Sequence, residues 1–189
     1  MSLRTFLALE IDEPTRDALV AAERSIGAAG AKMKWVEREN LHVTMNFLGD
    51  VADETVSRVC EIAAGVAAEA APFDFDVRGA VCVPPKGRAV RMIWAGVGEP
   101  TGALNSLYSK LAEAFAGFGL RQEQRAFKPH ITLARIKFAP DAERLRKAVE
   151  QWGQTNFGLQ HADELVVFSS QLTPTGPVYS PIAKPPLGG

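Results

Sequence analysis

Two similar α+β halves, with antiparallel sheets, helices on one face and polar residues on the other, are the fold this 189-residue sequence predicts. Three observations carry that expectation. Runs with apolar residues at every second position alternate with runs that repeat every three or four. Their order is strand, helix, strand, helix, strands, then helix, strand, helix, strands. Two of the strand-like runs hold copies of one tripeptide, and each precedes a helix, as an internal duplication would produce. Outside those tripeptides the halves do not align.

Residues 4–11 form the first strand. Pro14 opens a helix to about residue 28, with Leu19, Ala22 and Ile26 on its buried face and Arg16, Asp17, Glu23 and Arg24 on its polar one. A short strand over 34–36 precedes a longer one over 41–48. In the longer strand Leu41, Val43, Met45 and Phe47 alternate with His42, Thr44 and Asn46. Gly49-Asp50 turns the chain, and Asp53 caps a helix ending near residue 71. Residues 73–81 alternate again, and residues 84–87 form a loop. A strand over 90–97 carries Trp94, and a helix from Thr101 to about 118 is expected to bury Leu104, Leu107, Leu111, Ala114 and Phe115. The second half continues with a strand over 130–136, a helix from Pro140-Asp141 to about 152, and strands over 165–172 and 178–183. Residues 173–177 turn tightly, and the tail after 184 is expected to fray.

Hydrophobic residues make up 47 % and charged residues 23 %, as in an ordinary soluble globular protein. With a formal net charge of -1, no global field announces nucleic acid or membrane, so a polyanion must be met by a local cluster. Cys60 and Cys82 fit no metal or redox spacing and read as buried thiols in a reducing compartment. The apolar stretch 6–9 is cut at once by Glu10, Asp12 and Glu13, so it is no signal peptide. No apolar run is long enough to span a bilayer. A cytoplasmic protein is expected.

The repeated tripeptide is the best clue to function. The chain has three histidines, and two lie in His42-Val43-Thr44 and His130-Ile131-Thr132. Positions two apart in a strand share a face, so each motif aims an imidazole and a hydroxyl outward together. Two imidazoles brought to one cleft can act as general base and general acid near neutral pH. A single His-x-Thr is a weak signal, since the chain has nine threonines. The pair is stronger, although two strand histidines bonded to neighbouring hydroxyls would look the same.

With their surroundings these residues resemble the 2H phosphoesterases, and within them the RNA 2',3'-cyclic phosphodiesterases, also called 2'-5' RNA ligases. The resemblance spans nearly the whole chain. It takes in Arg4, Phe6, Ala8 and Leu9 of the opening strand, Trp35, the stretch 40–49, the stretch 127–135, and Gly176, Pro177 and Tyr179. It implies one bilobal domain over residues 1–189, with pseudo-twofold symmetry, two antiparallel sheets facing a central groove, and helices on the outer faces. Each lobe would contribute one His-x-Thr. It further implies a monomer with no metal or other cofactor, acting on RNA ends or nucleotides that carry a cyclic phosphate.

Opening a 2',3'-cyclic phosphate requires a deprotonated water, a protonated leaving alkoxide and stabilised phosphoryl oxygens. His42 and His130 would share the proton transfers. By the resemblance, His130 is the base toward water and His42 the acid toward the 3'-oxygen, leaving a 2'-phosphate. A 5'-hydroxyl replacing water would give 2'-5' ligation. Thr44 and Thr132 would hold phosphoryl oxygens, and Arg135 offers a cationic fork. Strict alternation sends Arg135 to the opposite face from His130 and Thr132. Either the strand ends or bulges near Ala134 and re-aims Arg135 to the cleft, or Arg135 reaches the surface.

Tyr179, after the Gly176-Pro177 turn, is a candidate for stacking on a base. Trp35, Trp94, Trp152, Phe6 and Phe47 read as packing residues, Trp35 standing near the cleft. His161 reads as a solvated histidine in a polar turn. Arg125 and Lys128, and the cluster Lys86, Arg88 and Arg91, are candidate contacts to RNA. Two other functions fit the same residues: cyclic phosphodiesterase action on a small nucleotide, such as ADP-ribose 1'',2''-cyclic phosphate or a 2'-5' oligoadenylate, and non-catalytic binding of RNA ends.

Overall fold

The computed structural model describes residues 2–87, 89–120, 126–174 and 176–188. Along them run β1 (Ser2–Glu10), α1 (Glu13–Gly27), β2 (Lys32–Trp35), β3 (His42–Ala52), α2 (Asp53–Ala68), β4 (Phe73–Val83) and β5 (Met92–Gly98). Then come α3 (Ala103–Gly117), β6 (His130–Phe138), α4 (Ala142–Glu150), β7 (Asn156–Ala162), β8 (Val166–Leu172) and β9 (Pro177–Ala183). A 3-10 turn, Arg38–Asn40, leads into β3. Local chemistry starts the helices: Asp12 accepts from the Thr15 amide at 2.9 Å, and Asp141 from the Arg144 amide at 2.9 Å. Asp53 lies in the first turn of α2, where its charge suits the helix dipole, and Ala52 holds the cap position.

The fold is α+β with antiparallel pairing throughout, in the order β7-β4-β5-β6-β3-β1-β8-β9, with β2 also on β6. The two expected sheets are thus halves of one hydrogen-bonded path. They meet at one residue pair, Val43 with Ile131. Beyond it β3 leaves β6, and β2 takes over that edge from Trp35 opposite Ala134 to Lys32 opposite Phe138. A cleft opens where the strands part. The halves are also not contiguous in sequence. β8 and β9 complete the half begun by β1 and β3, while β4 joins β5, β6 and β7. Helices follow the same exchange: α2 and α3 pack together behind β3, and α1 and α4 behind β7 and β4.

The sheet's two faces bury different groups. Leu7, Leu9, Val43, Ile131 and Leu133 join the main core on the helix side. Phe6, Ala8, Val166 and Phe168 form a smaller cluster on the other face, under Tyr179.

Four expectations are corrected. β7 escapes a pattern reading because its buried residues, Phe157, Gln160 and Ala162, do not keep period two and include a polar one, while Leu159 is exposed. Gln160 ties β7 to α1, accepting from the Asp12 amide at 2.7 Å and donating to Thr15 Oγ1 at 2.8 Å. His161 is exposed, as expected, but lies in this strand, paired with Asp74 at 2.6 Å. The tail is tied down, since the Leu187 amide donates to the Asp163 carbonyl at 2.8 Å and Leu187 is buried. Arg16 and Glu23, expected on a polar face, are both buried. Arg16 spends its donors on backbone carbonyls of Ile11, Arg38 and Glu39. Burial, with the nearby charge of Glu37, pushes the Glu23 carboxyl up to about 8.

Candidate active site

β3 and β6 bring the two tripeptides to one concave surface. Val43 and Ile131 are fully buried on the helix side, so His42, Thr44, His130 and Thr132 point the other way. One step on either side of the Val43–Ile131 pair, the antiparallel register sets His42 beside Thr132 and Thr44 beside His130.

Each imidazole is fixed in the same manner. Nδ1 of His42 donates to the carbonyl of Asn40 at 2.7 Å, and Nδ1 of His130 to that of Lys128 at 2.6 Å. A carbonyl only accepts, so Nδ1 carries the hydrogen and Nε2 the lone pair of the neutral ring. The lone pair of His42 receives the Thr44 hydroxyl at 2.9 Å. Nε2 of His130 has no hydrogen-bond partner among the described residues. Arg16 holds the 3-10 turn that presents Asn40, donating to Arg38 and Glu39 carbonyls at 2.9 and 3.0 Å. The Asn40 amide reaches the Pro177 carbonyl at 3.1 Å, which ties the Tyr179 turn to the same place.

Aromatic rings back both imidazoles. Phe6 lies 5.1 Å from His42, and Tyr179 meets it edge-on at 5.5 Å. Trp94, expected to serve packing alone, stacks on His130 at 3.7 Å and 20°. Burial pushes the His42 imidazole down to about 4, helped by the charges of Arg16 and His130 and opposed by the Asn40 carbonyl. Burial also lowers His130, with the Lys128 carbonyl opposing.

These shifts set a pH dependence of stability. An unfolded histidine titrates near ~6.5. Between there and about 4 the unfolded chain holds a proton that folded His42 lacks, so stability is lost as pH falls through that window. Glu23 acts oppositely, because its raised value makes the folded state the proton holder up to about 8. The His42 contribution is therefore a difference: from pH 7 to pH 5, the urea midpoint of His42→Asn should fall less than that of the wild type. An equal change in both would refute it.

β6 bulges just before Ala134, one of the outcomes the sequence left open for Arg135. Trp94 pairs with Thr132 and Ile93 with Ala134, leaving Leu133 as the extra residue. Leu133 and Ala134 are both buried, the alternation slips by one, and Arg135 turns to the face of His130 and Thr132. β3 does the same: Thr44 pairs with Ala8 and Asn46 with Leu7, so Met45 is extra. Phe47, expected in the core, is carried to the cleft face and is 41 % exposed.

The cleft encloses about 530 Å³. His42, Thr44, Thr132, Arg135 and Tyr179 line it, as do Arg4, Lys34, Trp35 and Phe47. His130 is not among its lining residues, although Thr132 of the same motif is. Sequence reasoning misses Arg4, Lys34, Phe47 and Trp94 as site residues. Arg4 shares its strand face with Phe6 and Ala8, a spacing that could have revealed it. Lys86 and Arg91 are exposed and do not line the cleft, and Arg88 and Arg125 lie outside the described residues. Among the described residues, no group of three His, Cys, Asp or Glu could hold a metal ion, and no helix is long and apolar enough to cross a membrane.

Half-sheets that present twinned His-x-Thr strands to one cleft define the class: the chain belongs to the 2'-5' RNA ligase superfamily, the 2H phosphoesterases, whose family model matches residues 13–167. It is 33 % identical over 180 residues to the RNA 2',3'-cyclic phosphodiesterase of Methanothermobacter thermautotrophicus, covering 95 % of this chain and 96 % of that one. It is 32 % identical to the protein of that name from Thermotoga maritima, covering 94 % and 91 %. Its fold matches the crystal structure of TT0787 of Thermus thermophilus with a TM-score of 0.83 and 28 % identity, covering 98 % of each chain.

Proposed function

We propose that this protein hydrolyses RNA 2',3'-cyclic phosphate ends to 2'-phosphates, as one bilobal unit in which each half-sheet supplies one His-x-Thr. The observation that carries the reading is the pair of imidazoles, each with Nδ1 locked by a carbonyl two residues upstream, on strands that also offer Thr132 and Arg135.

The unpartnered Nε2 lone pair of His130 takes a proton from water as its oxygen attacks phosphorus. The bond from phosphorus to the 3'-oxygen breaks, and that oxygen takes a proton from His42. Thr132 and Arg135 steady the phosphoryl oxygens. A 5'-hydroxyl attacking in place of water would leave a 2'-5' linkage, which is ligation. His42 is neutral in the empty protein, so it must gain its proton with the substrate, whose negative charge favours the imidazolium. Protonation makes Nε2 a donor, and the Thr44 hydroxyl hydrogen is then released toward the phosphate.

In this reading the proton transfers belong to the two imidazoles. Hydrolysis of 2',3'-cyclic AMP should persist after dialysis against EDTA, giving 2'-AMP by chromatography. Loss of activity that a divalent ion restores would refute the paired-imidazole mechanism. A 3'-AMP product would refute the leaving oxygen.

A further inference from the structure

The cleft carries more positive charge than one phosphate uses. Arg4, Lys34 and Arg135 line it, and among its described lining residues Glu37 is the one carboxylate. Among the described residues, none of the ion pairs engages those three cations. Arg135 stands next to the His130 motif. Arg4 lies on β1, with its guanidinium 4.8 Å from the ring centre of Phe47. Arg4, Arg135 and Tyr179 line the same cleft. Phe47 is turned outward by the β3 bulge, and its ring, 41 % exposed, lines the cleft beside the Arg4 cation.

We infer that Phe47 and Arg4 form a second nucleotide subsite, which receives the nucleoside on the 5' side of the cyclic phosphate and the internal phosphodiester joining them. The inference rests on the function proposed above and narrows its substrate to an oligonucleotide end. A 2',3'-cyclic phosphate closes the 3' end of its chain, so any further nucleotide must enter from the 5'-oxygen. An aromatic ring backed by a guanidinium stacks a base without reading its identity, and the guanidinium meets the phosphodiester charge. Neither residue is given a part in the bond-making at phosphorus, so both should act on how strongly the longer substrate is preferred.

The test compares kcat/KM for 2',3'-cyclic AMP with that for a dinucleotide ending in the same cyclic phosphate. The wild type should favour the dinucleotide by roughly tenfold or more. Phe47→Ala and Arg4→Ala should each pull that ratio down severalfold toward one, and Phe47→Tyr, which keeps the ring, should restore it. Salt should weaken dinucleotide turnover more steeply than mononucleotide turnover, and Arg4→Ala should flatten the difference. A wild-type ratio near one, or a ratio that neither alanine variant changes, overturns the subsite and leaves the hydrolase standing. No turnover of either substrate by the wild type overturns the function on which the subsite rests.

Discussion

Replacing His42 or His130 with alanine should lower turnover of a 2',3'-cyclic nucleotide by roughly 10²-fold or more while the protein stays folded. Steady-state rates at pH 7, with circular dichroism to report the fold, check both statements. Each imidazole stands on the concave face, away from the main core of Leu7, Val43 and Ile131, so its removal leaves no void there. The two losses should not multiply: the double variant should be little worse than the poorer single one, because both groups serve one transition state. Thr44→Ala and Thr132→Ala should lose less, since a hydroxyl contributes one hydrogen bond. A near-normal rate in either histidine variant would return that residue to a structural role. The 2.9 Å bond between Thr44 and His42 is what such a role would also show.

A nitrophenyl phosphodiester should separate the acid from the base. Its leaving group departs as a stable anion and hardly needs a proton, so the variant lacking the acid should recover most of its lost rate. With His42 as acid, His42→Ala is rescued by on the order of 10²-fold relative to the natural substrate, while His130→Ala stays slow. Rescue of His130→Ala alone would reverse the two roles. This experiment matters because the geometry is nearly symmetric. Both rings are locked through Nδ1, both lie against an aromatic ring, and both are pushed toward neutrality by burial.

Much of this architecture is legible in the sequence. Period-two runs locate both His-x-Thr strands, and the conflict between the charge of Arg135 and its place in the alternation marks the end of β6 as irregular without choosing a bulge over a strand end or an exit to the surface. What alternation cannot see is a bulge with no polar residue to betray it. Phe47 follows Leu41, Val43 and Met45 in perfect register, so a pattern reading puts it in the core. Only the slipped pairing with β1 shows that it faces the cleft. Trp94 is misplaced for a related reason. A tryptophan in an apolar strand fits packing equally well, and its use depends on which ring lies above it. β7 is lost because its key buried residue, Gln160, is polar and satisfied by partners from α1, far away in sequence. The exchange of strands between the two halves leaves no local trace.

That exchange sets an order of assembly. β1 lies between β3 and β8, pairing with residues 42–52 on one side and 166–169 on the other. A ribosome delivers β1 and β3 long before β8. During that interval the outer edge of β1 shows unpaired backbone groups, and Phe6 and Ala8 lack their cover from Val166 and Phe168. Contacts so distant along the chain form slowly, because a long loop must close before any of them is made. Tyr179 comes with β9, after all of this, and is the last aromatic of the cleft wall to be synthesised. A nascent chain therefore holds both His-x-Thr motifs well before the aromatic wall beside His42 is complete.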